Sequence, residues 1–362
     1  MTLYAGIDLH SNNSLVVVQD EEDNVVGRRR LANDLETVSA WLEPYRRDLA
    51  GVVVESTYNW YWLVDGLMEQ GYRVHLANTV AVQQYNGLKY RDDASDARWL
   101  AKLLRLGQLP EGHIYPREER AIRDLLRKRS QLVRLATMNL LSIKNLFARN
   151  RGEGISANRI KQLTPEAVDA TFEDSNVALA VKSNVKVLDC LLEQIVVLEK
   201  VVHGQVRLRK GYKKLLTVPG IGKTLALTIM LETGEISRFR DVGNYVSYGR
   251  LVGSSHLTNG KRKGSGNTKN GNAFLCWAFM EAANFAIRHN QMIRRFASIV
   301  SQNRYGVVFM ATSQATAQPS SLLGTTVSEL DTIGYRRFSV ALMSQGLGTD
   351  PRGPSRSLDP DG

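Results

Sequence analysis

The sequence predicts an α/β domain followed by a mainly helical remainder. Three observations carry this reading. Short β-branched runs alternate with amphipathic stretches over the first hundred residues, long segments of helical periodicity fill the middle, and a Pro-Gly-Ile-Gly turn separates helical stretches further on. At 362 residues, 43% hydrophobic and 23% charged, the chain has a globular composition and room for two or three domains.

The N-terminal elements follow in order. LYAGIDLH (3–10), SLVVVQD (14–20) and VVGRRRLA (25–32) suit three antiparallel strands joined by tight turns, and a helical stretch covers 34–48. GVVVEST (51–57) is a continuous apolar run ending in a carboxylate, the pattern of a buried central strand. YRVHLAN (72–78) repeats that pattern after the amphipathic NWYWLVDGLMEQ, and RDDASDARWLAKLLRLG begins a helix near Asp92. The expected order is three strands, helix, strand, helix, strand, helix.

The acids fall in a pattern. Asp8 closes the first strand's apolar run, Glu55 closes the fourth's, and Asp93 and Asp96 lie three apart on one helix face. Taken singly, each reads as a turn or cap residue. Jointly, four carboxylates at neighbouring strand ends and a helix start repel by about 4 kcal/mol per pair at 4 Å and an effective dielectric near 20. Divalent cations or raised pKa values make such a cluster tolerable, and two magnesium ions holding a phosphodiester are the simplest explanation.

Helical, basic sequence follows. Ten Lys/Arg against three acids lie between Tyr115 and Arg151, Arg127, Lys128 and Arg129 among them, interleaved with Leu125, Leu132, Leu135, Leu146 and Phe147. A second helix over 174–208 carries Leu188, Leu191, Ile195, Leu198 and Val202 at spacings of three and four, a coiled-coil or bundle seam. It reads either as an antiparallel hairpin between domains or as a self-association surface whose basic face follows a nucleic-acid backbone. In LLTVPGIGKTLALTIMLETG (215–234), the Pro-Gly-Ile-Gly turn resembles a helix-hairpin-helix element, with turn amides aimed at a phosphate and Lys223 beside them. A nucleotide-binding P-loop is excluded, because Thr217 stands where its first glycine is required.

Residues 253–272, GSSHLTNGKRKGSGNTKNGN, form a cationic loop without an acid, holding five glycines, five hydroxyls and Lys261, Arg262, Lys263 and Lys269. Glycines let backbone approach phosphates and cations hold them.

The formal charge of +11 points to a polyanion, nucleic acid first, because Lys and Arg on phosphates release counterions. No run approaches the roughly 18 to 20 apolar residues of a membrane span, and the N-terminus lacks a signal-peptide layout. Two cysteines, Cys190 and Cys276, are too few for a disulfide framework or an all-cysteine zinc site. A cytoplasmic, reducing location is expected, with no membrane partner.

GIDLH, VVVEST and KYRDDASDARWLAKL together resemble, in order and spacing, the acidic motifs of the DEDD transposases of the insertion-sequence "one-ten" family, which include the Piv and MooV invertases. The resemblance runs over residues 3–295. It implies a RuvC-like, ribonuclease H-related domain over 1–110 with Asp8, Glu55, Asp93 and Asp96 as the tetrad. A basic helical or coiled-coil segment follows over 111–210, then a C-terminal transposase domain over 211–300. It further implies double-stranded donor and target DNA as partners, a bacterial or archaeal nucleoid setting, action as a homo-oligomer and, for some members, a structured guide RNA. In the family a serine in the loop before the KNGN-type segment attacks DNA to form a transient covalent link, so that the site is composite. The matching position here is Thr258. Three assignments stay open: Thr258 itself, Ser254 or Ser255 after a shift of register with His256 as base, or an impaired copy.

Beyond about Asn303 the basic helical sequence of the family gives way to an uncharged stretch, 305–328, and a Gly/Pro-rich end, so 301–362 is read as a disordered or frame-shifted tail. The expected function is that of a transposase or site-specific recombinase. A metal-dependent RuvC-like nuclease would need the acids but not the loop, and a silent nucleic-acid-binding copy only the basic surfaces.

Overall fold

The computed structural model describes residues 1–82, 93–207, 209–252, 257–258, 261–262 and 270–301. These fall into two compact units, the first of Met1–Arg117 and the second from Glu118 onward.

The first unit holds β1 (Leu3–Leu9), β2 (Asn13–Gln19), β3 (Val25–Ala32), α1 (Leu35–Leu42), β4 (Leu49–Glu55), α2 (Tyr61–Glu69), β5 (Val74–Ala77) and α3 (Asp93–Arg105). This is the element order expected from the sequence. The sheet runs β3-β2-β1-β4-β5. β1, β2 and β3 pair antiparallel, while β4 lies parallel to both β1 and β5. The helix expected over 34–48 is shorter than its pattern. Asp34 caps it by accepting from the Thr37 amide, and Pro44 turns its continuation into a 3-10 turn at Glu43–Tyr45.

Alternation along the strands sends two sets of side chains to opposite faces. Leu3, Ala5, Ile7 and Leu9 of β1, Val16 and Val18 of β2, and Val52 and Val54 of β4 pack with Val38, Leu42, Leu63, Val64 and Leu67 of α1 and α2. Each such side chain contributes roughly 1.5–3 kcal/mol by leaving water. The other face takes α3, where Leu100 meets Val53 and Ala77. Gly6 permits that contact: a Cβ there would stand 1.9 Å from the Ala97 carbonyl oxygen. The far end of α3 is tied to the β2–β3 turn, where the Asp23 carboxylate takes Lys102 Nζ at 2.8 Å and Arg105 Nε at 2.9 Å. Those cations, Lys102 first, hold the Asp23 carboxyl below its ordinary range. The exposed edge strand β3 carries Arg28, Arg29 and Arg30, charges that discourage edge-to-edge pairing.

In the second unit α4 (Arg117–Arg151) and α7 (Ser175–Val206) are long, with α5 (Ala157–Ile160) and α6 (Pro165–Thr171) between them. The two long helices run antiparallel: Arg129 Nε donates to Glu199 at 2.8 Å, and Asn184 Nδ2 to Ser142 at 3.2 Å. Leu188, Ile195 and Val202, seven apart, are buried as the seam requires. Leu191 packs against the same cluster as Leu188 and Ile195, while Val187, Val197 and Val201 leave a second apolar stripe of α7 exposed.

α8 (Lys210–Leu215), α9 (Lys223–Thr233), α10 (Val242–Tyr248), β6 (Leu257–Thr258), β7 (Lys261–Arg262), α11 (Ala273–His289) and α12 (Gln291–Ser301) complete the unit. α8 and α9 flank the Pro219–Gly222 turn as expected. Gly220, at φ 87°, brings that turn against α11, where a Cβ would meet the Ala282 carbonyl oxygen at 2.2 Å. The loop read from the sequence over 253–272 contains a short antiparallel ladder, Leu257 opposite Arg262 and Thr258 opposite Lys261. Asn259-Gly260 between them is the dipeptide that favours tight hairpins. Asp92, Ser254, Ser255, His256, Lys263, Lys269 and the tail from 302 onward lie outside the described residues. Among the described residues no helix is long and apolar enough to cross a membrane.

Candidate functional site

The first unit brings the four predicted acids together. Ile7 pairs with Val54 in the parallel β1–β4 register, so Asp8 and Glu55 end adjacent strands, and alternation puts both on the face that α3 covers. Asp8 is buried. Burial pushes the Glu55 carboxyl up to about 8, helped by a hydrogen bond with Asp8 and by the charges of Asp8 and Asp96. Two carboxyl groups share a hydrogen bond only when one holds a proton, which the raised Glu55 supplies.

Asp93 and Asp96 stand in the first turn of α3, over the strand ends. Arg30 of β3 donates to Asp93 and, before any other cause, holds its carboxyl below the ordinary range. His10, just beyond β1, joins the cluster. Its Nε2 lies 3.2 Å from Asp8 Oδ2 and 3.3 Å from Asp93 Oδ2. Nε2 is buried between those two oxygens. The His10 carbonyl is held firmly, accepting from Asn33 Nδ2 and Asn59 Nδ2, each at 2.9 Å. The sequence reading passed over His10. Its position two residues after Asp8, where alternation returns to the same face, is the signal that could have found it.

In the second unit, helical geometry separates Arg127, Lys128 and Arg129, because successive residues do not share a face. Arg127 forms two 2.7 Å bonds with the buried Glu232 of α9. Glu232 also accepts from Asn272 Nδ2 at 2.7 Å, and Asn272 caps α11 through the amides of Phe274 and Leu275. Arg129 pairs with Glu199, while Lys128 is exposed and reaches Gln131. The guanidinium charges of Arg127 and Arg129 are thus met by carboxylates. Lys223 is exposed at the first position of α9, after the N-cap Gly222. The base of the 253–272 segment is closed by Arg250 Nε, which donates to the carbonyls of Asn270 and Gly271, each at 3.1 Å.

A transposase family model of the DEDD, IS110 type matches residues 5–149, and a second model, the transposase IS116/IS110/IS902 family, matches residues 212–298. The chain belongs to the IS110 family of DEDD transposases. No curated protein matches it.

Membership implies use of a divalent metal, and the residues of this IS110-family transposase fit one. The donors are mostly carboxylate oxygens, the chemistry that magnesium and manganese take. Ligand atoms of Asp8, His10 and Asp93 all lie within 4.8 Å of one another. The Glu55 carboxyl, raised first by burial and then by Asp8 and Asp96, is one that a neighbouring cation would favour in its ionised form. Of the predicted nucleophile loop, Thr258 ends β6 opposite Lys261, and Arg262 follows on β7.

Proposed function

We propose that this transposase cuts and rejoins DNA strands, with Asp8, Glu55, Asp93 and Asp96 as ligands of two divalent cations, magnesium by donor type, and the Thr258 hydroxyl as nucleophile. The observation that carries the reading is the meeting of mutually repelling acids from two strands and a helix, Asp8 buried and Glu55 half-buried among them, which costs stability unless a cation offsets it. The sheet order, with a helix laid across β1 and β4, agrees with a RuvC-like, ribonuclease H-related domain.

A bound divalent cation supplies Lewis-acid relief of the charge that builds on the phosphate oxygens. The chain's own groups do the rest. The hydroxyl oxygen forms a bond to phosphorus while one phosphorus–sugar oxygen bond breaks; the hydroxyl proton passes to solvent and the departing sugar oxygen takes one up. One phosphodiester replaces another, so a sugar hydroxyl of the second strand reverses the step and releases the protein without an external energy source. Lys128, Lys223, Lys261, Arg262, Lys263 and Lys269 hold backbone phosphates of donor and target DNA. The exposed Arg134, Arg149 and Arg151 of α4 offer a surface to a structured guide RNA, read through shape and phosphates. The exposed apolar stripe of α7 serves self-association of the working homo-oligomer.

The test uses supercoiled DNA carrying the element's ends, with magnesium. Asp8→Asn and Glu55→Gln should abolish strand cleavage while salt-sensitive DNA affinity persists. Cleavage at the wild-type rate in either variant rejects the assignment. A second reading, a structure-specific nuclease, is favoured if Thr258→Ala leaves hydrolysis intact.

A further inference from the structure

We propose that His10 is a ligand of the divalent cation, binding through Nε2 between the carboxylates of Asp8 and Asp93. The inference rests on the reading that a cation sits among the four acids, and it adds a nitrogen donor to an oxygen set. Three features of the chain carry it.

The first is the state of Nε2. Although the ring is part exposed, this atom is buried between two carboxylate oxygens, at 3.2 and 3.3 Å. The same placement lets a neutral imidazole share a common ion with both carboxylates through its lone pair.

The second is the scaffold under His10. Its carbonyl accepts from Asn33 in the β3–α1 connection and from Asn59 in the β4–α2 connection. Ser14 Oγ donates to Asn33 Oδ1 at 2.7 Å and Thr57 Oγ1 to Asn59 Oδ1 at 2.8 Å, so each amide is itself oriented. A turn carbonyl at a surface is satisfied by water; two aligned amides fix where the residue stands, as the outer shell of a metal ligand does.

The third is reach. His10 Nε2 stands 3.2 and 3.3 Å from the Asp8 and Asp93 oxygens, spacings that neighbouring ligands of one ion hold when its bonds are near 2.0–2.2 Å. An imidazole in the set favours manganese over magnesium, since nitrogen donors suit the later transition ions.

The experiment loads the full chain with Mn2+ and reads nitrogen hyperfine coupling by pulsed electron paramagnetic resonance, alongside Mn2+ and Mg2+ affinities from calorimetry. The expected result is coupling from one imidazole in the wild type, lost in His10→Ala and kept in His75→Gln. His10→Ala should also weaken Mn2+ by about tenfold or more, and Mg2+ by less. Its metal-free unfolding temperature should stay near wild type, because the His10 carbonyl keeps both amides. If Mn2+ binds and Asp8→Asn weakens it, but coupling is absent or survives in His10→Ala, His10 is not a ligand and this inference alone falls. If the wild type binds no Mn2+, the metal reading of the acids falls and takes this inference with it.

Discussion

Replacing Gly6 with alanine would set a methyl group 1.9 Å from the Ala97 carbonyl oxygen and 3.0 Å from the Ala101 amide nitrogen, both backbone atoms of α3. Backbone cannot swing aside as a side-chain tip can. To restore ordinary contact at 3.4 Å, α3 must lift from the sheet by about 1.5 Å. Overpacking of this kind costs about 1–3 kcal/mol, within what a folded protein with roughly 5–15 kcal/mol can lose. The consequence for the site is larger. Asp93 and Asp96 ride on the first turn of α3, and Asp8 lies two residues along β1 from Gly6. Metal–ligand distances tolerate only about 0.2 Å, so the lift should lower divalent affinity by about tenfold or more. Calorimetric titration with Mn2+, paired with thermal unfolding, reads both effects. Gly204→Ala is the control: nothing lies within 4 Å of its Cβ in the last turn of α7, so it should stabilise by up to about 0.5–1 kcal/mol and leave the metal untouched. Wild-type Mn2+ affinity in Gly6→Ala would refute the close packing of α3 on β1 as the device that gathers the acids.

Other perturbations follow from the same contacts. Glu55 is raised from its ordinary 4.5 to about 8, so its protonated form favours the fold; in metal-free protein that stability is complete below pH 4.5 and lost as pH rises toward 8. Thermal unfolding against pH should show this slope, flattened by Glu55→Gln or by Mg2+, and an unchanged slope in Glu55→Gln would place its origin elsewhere. Gly220→Ala joins a φ of 87° to a Cβ 2.2 Å from the Ala282 carbonyl oxygen, and should cost at least about 1–3 kcal/mol in denaturant unfolding. An unchanged midpoint would contradict the packing of the Pro219–Gly222 turn on α11. Arg127→Ala leaves the buried Glu232 without its guanidinium and should destabilise by about 3–5 kcal/mol, more than Arg127→Ala made in a Glu232→Gln background. Equal losses in the two backgrounds, read from urea midpoints, would show that the pair is not coupled.

Much of this was legible in the sequence. Continuous apolar runs ending at Asp8 and Glu55 marked buried strands with carboxylates at their ends, and the three-residue spacing of Asp93 and Asp96 placed both on one helical turn. Other features depend on tertiary partners that no local pattern encodes. His10 owes its place to Asn33 and Asn59, 23 and 49 residues away. Arg127 and Arg129 read as members of one basic patch because composition ignores direction; the helix turns one toward Glu232 and the other toward Glu199. The 34–48 helix was overextended because amphipathic spacing outweighed Pro44, and the Leu257–Arg262 ladder was missed because glycine-rich composition hid the Asn-Gly hairpin signal.

The most direct test of the proposed chemistry is to trap the protein–DNA intermediate. The full chain is incubated with supercoiled donor and target DNA, magnesium and the candidate RNA, denatured, digested, and the nucleotide-bearing peptide sequenced by mass spectrometry. The expected result is one covalent adduct at Thr258, absent in Thr258→Ala, in Asp8→Asn and without divalent metal. Metal-dependent cleavage with no adduct, or an adduct at Ser254 or Ser255, would contradict Thr258 as the nucleophile.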